Sequence, residues 1–198
     1  MTWEFWIKLY TQTHCTARGL RSSTIAAYRV ALEQFREYVR FRLDDKTPGL
    51  ITACEVLEYV EHLRSTRRNG ASAINRHVVI LRSFYRAIVA MGHLDPAANP
   101  MTNFPTIKAA PQKLPVFLSA EEVERLLATP DSETVLGLRD RAILALLYGT
   151  GIRATECATL RQSDVDLAEQ TVTVIGKGGH QRTIPLNERV VAALDVYE

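Results

Sequence analysis

Long apolar runs are missing from this sequence. The longest strongly apolar stretch, Ala142–Tyr148, is far short of the roughly 20 residues that a bilayer-spanning helix needs. Glu4 and Lys8 interrupt the first apolar cluster, so no secretory leader is read there. Cysteine is scarce as well. Cys15, Cys54 and Cys157 are odd in number and form no Cys-x-x-Cys pair, which speaks against a disulfide framework or a zinc site and for reduced thiols in a cytoplasm. His14, His62, His77 and His93 are isolated and lack metal-ligand spacing, and His180 reads as a solvated turn residue. Neither an internal repeat nor a low-complexity tract is present.

What is there begins with a 46% hydrophobic content over 198 residues, enough for a buried core in one large or two small domains. The formal net charge of +2 hides an asymmetry. Residues 1–108 carry 15 Lys and Arg against 9 Asp and Glu, while residues 109–198 carry 9 against 13. A basic first half suits a polyanionic partner.

The first half reads as four helices. Trp3, Phe5, Trp6, Leu9 and Tyr10 predict a short helix to about Cys15, broken at Thr16–Gly19. Ile25, Tyr28, Leu32, Phe35 and Val39 alternate spacings of three and four, which is one stripe of an amphipathic helix; Arg29, Arg36 and Arg40 fall off it. Thr52-Ala-Cys-Glu55 has the capping-box pattern ahead of a third helix. A fourth runs from about Ser72 to Met91, with Arg76, Arg82 and Arg86 off its core stripe and Gly92 as its stop. Five prolines between Pro96 and Pro115 mark a linker. Beyond it, Ser119-Ala-Glu-Glu122 opens a helix, Asp131–Tyr148 holds another, and Gly149-Thr-Gly151 ends that one. A short helix starts near Arg153. Thr171–Ile175 and Arg182–Leu186 predict a hairpin joined by Gly176-Lys-Gly-Gly-His180, and Asn187 caps a last helix ending near Tyr197.

Three residues carry candidate chemistry. Arg153 follows a glycine-bracketed turn at a helix start, where a planar guanidinium fork matches two phosphate oxygens. Glu156, three residues on, shares its helix face and can orient it. Lys177 sits between glycines at the hairpin tip; GKGG lacks the Ser or Thr of a P-loop and leads into a strand. Taken singly, each has an ordinary reading as a surface ion pair or a solvated turn residue. In the first half, Arg29, Asn75, Arg76 and Arg82 are candidates for phosphate contacts, with a solvated helix face as the alternative.

Together the pieces are specific. An apolar helix leads into TGIR, with a glutamate three residues after the arginine. Leu160 to Asp166, a strand, GKG and a strand ending Ile-Pro-Leu follow. This order resembles the start of the catalytic domain of tyrosine recombinases, the phage integrases and their bacterial Xer relatives. GLRSSTIAAYRVALEQF, INRHVVILRSFYRAIVAMGHLDPAANP and LPVFLSAEEVERLL are similar to that family's core-binding domain, linker and catalytic entry. The resemblance implies a mainly α fold: a four-helix DNA-clamping domain over residues 1–105, a linker over 106–115, and the first part of an α+β catalytic domain over 116–198. It also implies that Arg153 contacts the scissile phosphate, that Glu156 supports it, and that Lys177 acts as general acid to the 5′ oxygen. The expected partners are double-stranded DNA and further recombinase protomers, with no membrane, small-molecule substrate, metal or nucleotide cofactor. The family's later His-x-x-Arg motif and nucleophilic tyrosine find no counterpart in this chain. Tyr197 lies before the place of that motif and reads as a packing residue. The alternative expectation is a shortened, non-catalytic DNA-binding module that occupies recombination sites or modulates a full-length recombinase.

Overall fold

The computed structural model describes residues 2–108, 116–176 and 178–197. The chain divides into two compact units, Met1–Lys113 and Leu114–Glu198.

The first unit is helical. Helix α1 (Trp3–Lys8) runs through a π-helical turn (Leu9–His14) into α2 (Cys15–Ala17). The π turn has a purpose in packing. Tyr10 and Cys15 are five residues apart, a step no α-helical turn brings onto one face, and the Cys15 N–H bonds the Tyr10 carbonyl. Both residues are thereby buried. Helices α3 (Ser22–Arg42), α4 (Ala53–Ser65) and α5 (Ala71–Ala90) complete the unit. The Thr52–Glu55 capping box opens α4, as its sequence pattern predicts. Aromatic rings fill the core: Phe35 lies 4.8 Å from Tyr59, and Trp3 packs on both Phe35 and Phe84. Among the described residues, buried hydroxyls find partners. Tyr10 donates to Ser83 Oγ at 2.7 Å, Tyr85 donates to the Pro48 carbonyl at 3.1 Å, and Tyr59 Oη meets His77 Nδ1 at 3.1 Å.

One expectation changes here. The proline-rich stretch read as a single linker is, in its first part, a strap on the helical unit. Pro96–Ala98 forms a 3₁₀ turn, Met101 and Phe104 are buried, and Ile107 packs against the same core. Prolines remove backbone donors, so the strap is held from outside. Asn75 Nδ2 donates to the Ile107 carbonyl and Arg82 Nη2 to the Phe104 carbonyl, each at 2.9 Å.

The second unit contains α6 (Ala120–Ala128), α7 (Val135–Thr150), α8 (Ala154–Ala158) and α9 (Glu188–Tyr197) around a small antiparallel sheet. Its strands β1 (Val165–Asp166), β2 (Thr171–Ile175) and β3 (Gln181–Pro185) lie in the order β1-β2-β3. The Ser119–Glu122 capping box opens α6. Strand β1 was not foreseen: two residues are too few to show an alternation. Val172 and Val174 point into the core with Leu146, Ile152, Leu186 and Val190. Helix α7 packs on α9 with little room between them; a Cβ on Gly149 would stand 2.4 Å from Val190 Cγ2. Gly149 therefore lies inside α7, and the stop falls at Gly151, whose φ of 64° is the left-handed cap that glycine accepts without strain. Among the described residues, no helix is long and apolar enough to cross a membrane.

Candidate functional site

The site grows from the α7–α8 junction. Gly151 turns the chain, buried Ile152 anchors it in the core, and Arg153 takes the extended N-cap position of α8. Glu156, one turn on, folds back. Its Oε2 accepts the Arg153 backbone N–H at 2.8 Å, and its Oε1 accepts Arg153 Nη1 at 2.8 Å. Arg153 and Glu156 are thus in direct contact, as their three-residue spacing allows. The two residues differ in surroundings: the Arg153 side chain is 65% exposed, while that of Glu156 is 4% exposed.

A third residue, missed in the sequence, completes the cluster. Arg182 on β3 pairs across the hairpin with Val174, and residues paired across a ladder share a face. Arg182 therefore leaves the sheet on the side of buried Val174, which is the side of Glu156. Its Nη1 meets Glu156 Oε1 at 3.0 Å and its Nη2 meets Oε2 at 2.8 Å. The carboxylate accepts four hydrogen bonds from two guanidinium groups and one amide. Its pKa falls to about 2, chiefly through Arg182 and then through the Arg153 backbone N–H. Glu156 is ionised at any physiological pH. The signal for Arg182 lay in the register of the hairpin, which puts it on the same sheet face as buried Val174 while it stays 40% exposed.

Lys177 lies outside the described residues. The loop around it is closed by the Gly176 N–H bonding the His180 carbonyl at 2.7 Å, and Gly178 and Gly179 take left-handed φ values that only glycine adopts easily. Tyr197, at the end of α9, lines an apolar groove with Cys157, Leu160 and Leu194.

In the first unit the four candidate phosphate contacts separate into two pairs. Arg29 on α3 and Arg76 on α5 are exposed. Asn75 and Arg82 are half-buried and hold the strap carbonyls described above. The off-stripe position of Arg82 gave no hint of this, because its partner is a backbone oxygen 22 residues away.

Comparison with known proteins agrees with this architecture. Residues 116–198 match the phage integrase family, and residues 10–91 match the phage integrase N-terminal SAM-like domain. The chain is 33% identical over 180 residues to the tyrosine recombinase XerD of Listeria monocytogenes, covering 91% of this chain and 59% of that protein. It is 36% identical over 183 residues to the tyrosine recombinase XerC of Pelobacter propionicus, covering 92% and 59%. The chain thus spans about three fifths of the length of these relatives. The fold is shared with a lambda integrase fragment, solved as a dimer bound to a COC′ core site, at a TM-score of 0.73 and 21% identity over 98% of this chain and 68% of that one. It is shared also with the Tn1549 transposon integrase, solved with circular intermediate DNA, at 0.68 and 20% over 96% and 63%. With both of its units matched in order and recombinase relatives along nine tenths of its length, the chain belongs to the tyrosine recombinases of the phage integrase family.

Proposed function

We propose that this chain is the DNA-gripping part of a site-specific recombinase and carries part of the apparatus that cuts and rejoins DNA through a 3′-phosphotyrosine. Residues 1–105 clamp duplex DNA and residues 116–198 bring Arg153 to the scissile phosphate, with 106–115 between them. The observation that carries the reading is the Arg153–Glu156 pair: a guanidinium fixed through one nitrogen and its own backbone, yet 65% exposed. A phosphoryl transition state spreads negative charge over several oxygens, and a preorganised cation stabilises that charge without having to reorganise. On this reading, tyrosine attack on phosphorus expels the 5′ oxygen, and Lys177 donates the proton that oxygen needs. The partners are duplex DNA and further recombinase protomers, which places the work in the cytoplasm. The DNA-bound dimer of the lambda integrase relative in fold supports the same assignment.

The test is cleavage of a recombination site by this chain joined to the remaining catalytic residues of a recombinase. Arg153→Lys is expected to abolish strand cleavage nearly completely, since a point charge cannot copy a fork. Lys177→Ala slows cleavage and leaves site binding close to normal, because a general acid acts in the transition state rather than in docking. Full cleavage by Arg153→Lys would defeat the reading.

A further inference from the structure

One carboxylate faces two guanidinium groups in this site, and the two are not equivalent. Arg182 engages Glu156 with both terminal nitrogens and is 40% exposed; Arg153 lends one terminal nitrogen and is 65% exposed. The backbone makes room for the first of these. A Cβ at Gly176 would stand 3.1 Å from Arg182 Nη1, tighter than most such contacts, and 3.4 Å from Glu156 Oε1, at ordinary contact distance. Strand register, the glycine and the forked geometry all serve the same contact.

We propose that Arg182 is a positioning residue that supplies the counter-charge Glu156 requires, so that Glu156 orients Arg153 without neutralising it. The proposal rests on the reading of Arg153 as a phosphate contact. Glu156 alone would draw Arg153 into a two-nitrogen pair, the geometry carboxylates prefer with arginine, and the pair would carry no net charge. With Arg182 occupying the fork, the cluster of one carboxylate and two guanidinium groups keeps a net charge of about +1, and the more exposed arginine presents it. The contact also ties β3, at the root of the hairpin that carries Lys177, to the start of α8.

Inorganic phosphate, titrated into the ¹⁵N-labelled chain at low ionic strength, tests this through the Nε–H resonance of Arg153. Arg182→Gln is expected to weaken the phosphate response roughly fivefold, the scale of one exposed ion pair, and Arg182→Lys to restore most of it. The double variant Glu156→Gln, Arg182→Gln removes acid and counter-charge together, so its response should recover above that of Arg182→Gln alone. A merely structural role predicts the reverse, a double variant worse than the single, and that result overturns the proposal. So does an Arg182→Gln response equal to wild type. Absence of any Arg153 response in the unaltered chain instead overturns the phosphate reading beneath it. In parallel, the Glu156 carboxyl titration, followed by ¹³C resonance, should rise from about 2 toward the ordinary carboxylate range in Arg182→Gln. Should that variant fail to fold, Arg182→Lys decides: an Arg153 response close to that of the unaltered chain supports the counter-charge role, and a loss of about fivefold or more refutes it.

Discussion

Gly149→Ala places a methyl group where α7 and α9 nearly touch. On an open helix the change would stabilise by about 1 kcal/mol, because alanine is the better helix former. Here the new Cβ would stand 2.4 Å from Val190 Cγ2 and 3.2 Å from Asn187 Nδ2. The first distance is more than about 1 Å inside ordinary carbon–carbon contact. Val190 is buried and β-branched, so it cannot turn aside freely. Overpacking of this kind costs about 1–3 kcal/mol, so the net expectation is a loss of up to about 2 kcal/mol, confined to the second unit. Val190→Ala alone removes two buried methyl groups, about 1.6 kcal/mol at 0.8 kcal/mol each, before any cavity term. If the clash is the cause, the double variant should be less destabilised than the two singles added, by about 1 kcal/mol or more. The molecule supplies its own control. Both tryptophans, Trp3 and Trp6, lie in the first unit, so tryptophan fluorescence follows that unit while far-ultraviolet circular dichroism follows both. Urea unfolding of Gly149→Ala should move the dichroism transition and leave the fluorescence transition in place. A variant as stable as the parent, or a double variant that is merely additive, would refute the close-approach account of this glycine.

Other expectations follow from the same contacts. Glu156 has a folded pKa below its unfolded value, so its contribution to stability is complete above the ordinary glutamate range and is lost as the pH falls toward 2; in Glu156→Gln that part of the acid dependence of the urea midpoint should vanish. Arg29→Ala and Arg76→Ala should each weaken binding to any duplex sequence and flatten the plot of log affinity against log salt by about one unit, measured by fluorescence anisotropy. Arg82→Ala should also destabilise the first unit by about 1–3 kcal/mol in urea unfolding, because it leaves the carbonyl of buried Phe104 without its donor. Tyr85→Phe should cost about 1 kcal/mol through the lost bond to Pro48, whereas Tyr197→Phe, at the exposed end of α9, should change urea stability little.

The helices were legible because their signals are local. The stripe from Ile25 to Val39 became α3, the Thr52–Glu55 and Ser119–Glu122 patterns became capping boxes, and two β-rich runs around glycines became β2 and β3. What escaped depends on distant partners or on phase. A π turn at Leu9–His14 only shifts which face the following residues take, and apolar periodicity read over 13 residues cannot separate that shift from noise. The strap from Pro96 to Ile107 has the composition of a linker, and its order comes from two side chains on α5 that donate to its carbonyls. Composition registers the missing donors of proline and is blind to donors supplied from another element.

The site divides along the same line. Arg153 and Glu156 are three residues apart on one short helix, so a sequence reading can pair them. Arg182 is 26 residues from Glu156, and nothing in GKGGHQR distinguishes a core-facing arginine from a solvated one until the register of β3 is known. That register is set from both ends of the hairpin. Gly176, Gly178 and Gly179 close the turn, and Val172 and Val174 must face inward, which obliges Thr173 and Ile175 to face out. Slip the pairing by one residue and Arg182 moves to the opposite face, Glu156 loses two of its four donors, and Arg153 becomes its sole guanidinium partner. The apolar alternation of β2 therefore specifies the electrostatics of Arg153 as firmly as it specifies the core.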